Sequence, residues 1–281
     1  MVKVSTETIK LVLVFKWTLE LIKLKGMKFK FILYILILFS SETFCQDFSR
    51  IIYSNDLEMG GEVKVSGKKL MSQDNGFILI HNESSFNEET LIIGVHGRKS
   101  EGYEWIYGLK ALSNEYKHTY FYRYNWNICP DSATIDLSDE LTSLIGLTEG
   151  VEKIVVFGHS YGGVVVTALA SKLHFNIPIE IHSIASPLRG YSSLQKRCEI
   201  QTKRDGSLDF KPWGKNIAHF QWRTHHKLDG AFRKMEEDPQ QVNLFNSNVT
   251  LLPESMNGRR LGHNWSITWV VDEFLRIPHK L

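Results

Sequence analysis

Two hydrophobic rhythms alternate along this chain, and the switch between them predicts its elements. Leu91-Ile92-Ile93-Gly94-Val95 and Ile154-Val155-Val156-Phe157 are continuous apolar runs, the pattern of strands buried on both faces. Segments of helical spacing follow such runs. Residues 104–116 place Trp105, Leu109 and Leu112 on one face, and residues 135–147 do so with Leu137, Leu141, Leu144 and Ile145. Residues 161–173 form an apolar, Ala-rich helix, and residues 264–275 close the chain as another. Further strands are predicted at 119–124, 180–185, 216–222 and 249–252. Upstream, GEVKVS at 61–66 alternates apolar and polar, and GFILIH at 76–81 is apolar. The turn signal Asp74-Asn75-Gly76 lies between them. This predicts antiparallel strands opening the sheet.

Strand and helix alternating over this length predict an α/β fold: a mostly parallel central sheet of about eight strands with helices on both faces. Ligands of such sheets bind at the carboxyl ends of the strands. The longest insertion, 186–215, is polar and locally basic; a small lid over a site and a solvated loop are both open readings.

The first 45 residues break the pattern. From Met27, Lys28 and Lys30 give a basic start, and residues 31–39 are an unbroken apolar run too short to span a bilayer as a helix. This reads as a signal segment, cleaved near Thr43-Phe44-Cys45 to leave Gln46 first. Two readings of residues 1–26 stay open: translation begins at Met27, or the segment anchors the chain in a membrane. The expectation is a single domain over 46–281, exported through the N-terminal signal, with membrane anchoring as the alternative. Cys129 and Cys198 then remain, and in an oxidising compartment they could pair.

A formal net charge of +2 over 281 residues offers no argument for a nucleic-acid partner. No CxxC pair, HExxH or GxxxxGK[ST] occurs, so neither zinc nor a nucleotide is expected.

The strongest motif is Gly158-His159-Ser160-Tyr161-Gly162, followed by Gly163, between a predicted strand and a predicted helix. G-x-S-x-G there fits a nucleophile projecting from a sharp strand-to-helix turn, with Gly158 and Gly162 lacking bulk beside it. The helix N-terminus offers free N–H groups near the reacting oxygen. His96-Gly97, after another strand, can bring a second N–H opposite Ser160. The candidate oxyanion donors are therefore the main chains of Arg98 and Tyr161. The candidate base is His263, between the last strand and the last helix, because imidazole exchanges protons near neutral pH. The candidate acid is Asp229, one loop beyond residues 216–222. Asp238 is the runner-up, and Glu236 and Glu237 are weaker. His182 and His219, inside strands, are expected to be packed, whereas His118, His174 and His279 are expected to be exposed.

The order Ser160, Asp229, His263 resembles the α/β-hydrolase superfamily. GVHG at 94–97, GHSYGG at 158–163, SIASPLRG at 183–190 and LGHNWSI at 261–267 resemble its lipase and esterase-like members. The likeness covers roughly residues 60–278. It implies ester hydrolysis through an acyl-enzyme, no metal or organic cofactor, and a small-molecule or lipid ester as partner, with transient membrane contact open. Arg98 stands where lipases often carry a bulky apolar residue, which points away from a strongly lipophilic substrate. A serine acyltransferase or peptidase with the same triad, and a non-catalytic binding protein on this fold, are the rival readings.

Overall fold

The computed structural model describes residues 50–276 apart from Glu199, so residues 1–45, where a signal segment is expected, and His279 lie outside the described residues. Eight strands form one sheet: β1 (Arg50–Tyr53), β2 (Gly76–His81), β3 (Asn87–Val95), β4 (Tyr116–Arg123), β5 (Lys153–His159), β6 (Ile179–Ile184), β7 (Ile217–Arg223) and β8 (Ser247–Leu251). Their spatial order is β1-β2-β4-β3-β5-β6-β7-β8. The β2–β4 junction is antiparallel and every other pairing in this sheet is parallel.

Residues alternate between two cores, as the two-residue period of a strand requires. On one face Ile92, Phe121, Val155 and Phe157 meet α2 (Tyr103–Glu115) and α6 (Ser266–Arg276) through Trp105, Leu109, Val270 and Phe274. On the other, Leu91, Ile93, Ile154 and Val156 meet α3 (Pro130–Leu147) and α4 (Tyr161–Leu169) through Leu137, Leu141, Val165 and Leu169. Truncating any of these buried leucines to alanine costs about 2–5 kcal/mol.

The opening of the sheet differs from the sequence expectation. Residues 61–66 are not a strand: a helix, α1 (Val63–Met71), occupies them, and β1 supplies the first strand instead. β1 runs parallel to β2, because the α1 crossover between them turns the chain over. The Val63-Lys64-Val65 alternation is too short to set a period. Val65 is exposed, while Ser66, Gly67 and Leu70 are buried, spaced three and four to seven residues beyond Val63 as on a helix face.

The insertion 186–215 contains α5 (Ser192–Cys198). Leu188 and Leu208 pack with Val164 of α4, and Leu194 is buried. A Cys129–Cys198 disulfide, Cα atoms 5.4 Å apart, ties α5 to the start of α3. A two-stranded hairpin, β9 (Ser255–Met256) and β10 (Arg259–Arg260), precedes α6. Among the described residues no helix is long and apolar enough to cross a membrane.

Candidate active site

Ser160 sits where β5 ends and α4 begins, with φ 54° and ψ −120°. That backbone is disfavoured for a residue with a Cβ and persists only where its surroundings enforce it. Here they do. The Ser160 N–H donates to the Ile184 carbonyl (2.8 Å), and the Gly163 N–H donates to the Ser160 carbonyl (3.0 Å). A Cβ on Gly162 would lie 2.5 Å from the carbonyl oxygens of both Val95 and His96, and one on Gly158 would lie 2.6 Å from the Gly162 oxygen. Gly162, in the first turn of α4, meets the end of β3 through backbone alone, and Gly158 has a Val166 methyl and the Gly162 main chain against it, so neither position has room for a side chain.

The β3 loop closes on the same corner. A Cβ on Gly97 would come 2.9 Å from the Ser160 Cβ. His96 is fully buried; its Nδ1–H donates to the Gly97 carbonyl (2.9 Å), and its Nε2 accepts the Tyr124 N–H (3.2 Å). Burial pushes this imidazole down to about 4, so it is neutral when it makes both bonds. Arg98 follows directly and lines the cavity at Ser160, while its guanidinium lies over the Trp126 ring at 5.6 Å. Tyr161 opens α4, so its N–H has no intrahelical acceptor. Its hydroxyl donates to the Ile128 carbonyl (2.7 Å).

His263 precedes α6 and is half-buried. Its Nδ1–H donates to Asp229 Oδ2 at 3.0 Å. Asp229 is fully buried and well satisfied: Thr224 Oγ1 donates to Oδ2 (2.5 Å), and the N–H groups of Ala231 (2.8 Å) and Phe232 (3.2 Å) donate to Oδ1. Burial alone would push this carboxyl up. The His263 bond and charge, with the Thr224 and Ala231 donors, outweigh it and hold the carboxyl below its usual range. The Phe232 ring stands edge-on to the imidazole at 5.0 Å.

Asp238 does not reach His263. Its carboxylate accepts from the Gln240 main chain (3.0 Å) and side chain (3.1 Å). Glu237 pairs with Arg189 (2.9 Å), and Glu236 is exposed. His159 is more than an elbow residue. Its Nε2–H donates to the His263 carbonyl (3.0 Å), and burial, then the charge of His263, pushes it down to about 3. It thereby braces the His263 main chain. His182 and His219 are packed, His118 is half-buried rather than exposed, and His174 is exposed.

Ser160 and His263 line one cavity of about 190 Å³, together with Arg98, Lys99, Glu104 and Asn264. The walls come from segments 97–104, 159–160 and 263–264, with none from the 186–215 insertion. The sequence reading missed Thr224, Glu104 and the bracing role of His159. A hydroxyl five residues before the acid is the only local signal for Thr224, and Glu104 belongs to no motif. Among the described residues no group of three or more His, Cys, Asp or Glu side chains is arranged to hold a metal ion.

No family model and no curated protein sequence matches the chain. Solved structures do. A lipase-esterase related protein from Clostridium acetobutylicum is 12% identical, covering 73% of this chain and 99% of its own, with a TM-score of 0.45. Est1E from Butyrivibrio proteoclasticus is 13% identical, covering 69% and 88%, with a TM-score of 0.42. XC6422 from Xanthomonas campestris, described as an α/β serine hydrolase without lid, is 10% identical, covering 70% and 83%, with a TM-score of 0.43. The assignment of this chain rests on its own coordinates: the strand order, the single antiparallel junction and the tight β5-to-α4 corner. The chain has the α/β-hydrolase fold.

Proposed function

We propose that the protein is a serine ester hydrolase working through Ser160, His263 and Asp229. The observation that carries this reading is the Asp229–His263 hydrogen bond at the wall of the cavity that Ser160 also lines. A buried carboxylate on Nδ1 fixes the tautomer that leaves Nε2 free to accept a proton, and it offsets the charge that then develops. His263 takes the Ser160 proton as Oγ attacks the ester carbonyl. The Arg98 and Tyr161 N–H groups hold the oxyanion. His263 returns the proton to the departing alcohol, and water repeats the cycle on the acyl-enzyme to release the acid.

The Cys129–Cys198 disulfide supports a second part of the reading, that the protein works in an oxidising, extracytoplasmic compartment. The nucleophile is tested with a fluorophosphonate probe and a short p-nitrophenyl ester. The wild type labels and turns over; Ser160→Ala keeps its circular dichroism spectrum and does neither. Labelling or undiminished turnover in the purified variant overturns the scheme.

A further inference from the structure

The cavity beside Ser160 contrasts with the apolar linings common to ligand sites. None of its lining residues carries an aliphatic side chain. Arg98 and Lys99 are exposed cations, and Glu101 follows as an exposed carboxylate. Two cations at 98 and 99 are followed by two carboxyls at 101 and 104, giving donors and acceptors together rather than a field of one sign. Asn264 also lines it, and its Nδ2–H donates to the Tyr103 hydroxyl at 2.7 Å. Glu104, 8% exposed, borders the same space. Its Oε1 accepts the Ser100 hydroxyl, while Oε2 has no hydrogen-bond partner among the described residues. A buried acceptor with no donor is uncommon, and a polar ligand is one way to satisfy it.

A second, more open cleft of about 470 Å³ shares His263 and Asn264 but has another character. Gly230, Ala231, Gly262 and Trp265 supply most of its surface, with Arg260 as its one charged side chain besides His263, and the Arg259 guanidinium lies over the Trp265 ring at 4.3 Å. Both clefts are lined by His263 and Asn264, so an ester bond held beside His263 can direct one half towards each.

Resting on the hydrolase reading above, we infer that the polar cavity takes a polyhydroxylated group, and that the substrate is an ester joining such a group to a less polar half seated along Trp265. Hydroxyls suit the cavity because each both donates and accepts, which a wall mixing Arg98, Lys99, Glu101 and Asn264 requires. The cavity volume limits the group to a few hydroxylated carbons. A long hydrocarbon chain there would strip water from charged groups and return no hydrogen bonds.

Two matched pairs test this on the purified protein. Glyceryl monoacetate against propyl acetate varies hydroxyls on the alcohol; methyl glycerate against methyl butyrate varies them on the acyl side. The expected result is a kcat/KM about tenfold or more higher for the hydroxylated member of one pair, which also identifies the half concerned. Glu101→Leu, a change at an exposed position, lowers that ratio several-fold. A ratio near one in both pairs, or a ratio in the wild type that Glu101→Leu leaves unmoved, overturns the inference. Fluorophosphonate labelling of Ser160 needs no hydroxyl and separates the two failures. Labelling without preference removes this inference alone, and absence of labelling removes the hydrolase reading with it.

Discussion

Asp229 and His263 lie 34 residues apart in the chain and 3.0 Å apart in the fold, joined by one hydrogen bond from Nδ1–H to Oδ2. Each is held from behind. Asp229 takes three further donors from Thr224, Ala231 and Phe232, and the His263 main chain takes the His159 Nε2–H. The pair is therefore oriented before any substrate arrives, which is the condition for electrostatic help to come without reorganisation.

Exchanging the acid for its amide tests that orientation. Asp229→Asn presents an N–H where His263 Nδ1–H now donates, so the imidazole adopts the other tautomer. Esterase kcat is expected to fall by roughly 10³–10⁴. Asp238→Asn is expected to change it by less than about threefold, because Asp238 serves Gln240. A large loss in the second variant with little in the first reverses the assignment.

Gly97→Ala probes the proposed oxyanion loop without touching a polar group. The added Cβ meets the Ser160 Cβ at 2.9 Å and the His159 carbonyl at 3.0 Å, so the loop carrying Arg98 must move. Loss of one donor costs on the order of 10²–10³ in kcat. Steady-state kinetics with thermal melting checks this: the rate falls by that factor while the melting temperature moves by only a few degrees.

Stability is expected to decline on mild acidification. His96, His159 and His219 are buried and neutral, pushed down to about 4, 3 and 3, burial being the main cause in each case. Their unfolded value is about 6.5. Between these limits the unfolded chain binds the protons, so stability is fully present above pH about 6.5 and is lost as pH falls towards 4 and 3. Glu104 and Glu140, pushed up by burial, act in the opposite sense, two carboxyls set against three imidazoles. Melting temperatures measured from pH 8 to 4 should fall steadily below 6.5; a flat profile between 6.5 and 5 refutes this.

Removing the disulfide should destabilise without disarming the site. Cys129 and Cys198 close a loop of 69 residues, for which the chain-entropy relation gives about 4 kcal/mol. The Cys129→Ser/Cys198→Ser variant is expected to melt roughly 10 °C lower. It should label with a fluorophosphonate at the wild-type rate at 20 °C, since no residue of 186–215 lines the cavity.

The sheet was legible where burial on both faces wrote unbroken apolar runs, as in β3 and β5. α3 was legible because Leu137, Leu141 and Leu144 repeat at helical spacing. The nucleophile corner was legible because its backbone demands glycine at 158 and 162, a constraint that residue types display directly. Residues 61–66 misled because Val63 and Val65 mimic a strand over three positions, while the burial that decides, at Ser66, Gly67 and Leu70, involves two residues with no hydrophobic signal. Sequence preferred Asp229 and kept Asp238 as runner-up, because the two differ in what folds around them, not in local pattern. Thr224, His159 and Glu104 act through contacts across 5, 104 and 4 residues, of which the longest leaves no periodic trace.

Where Gly162 abuts the carbonyls of Val95 and His96, the first turn of α4 is seated on the end of β3 with nothing between them. Ser160 and the loop facing it are thus a single mechanical part, and warming cannot slacken one without dislodging the other. The least stable excursions of this protein should accordingly begin elsewhere, at its rim. That corner, once formed, should hold its shape until the whole sheet melts.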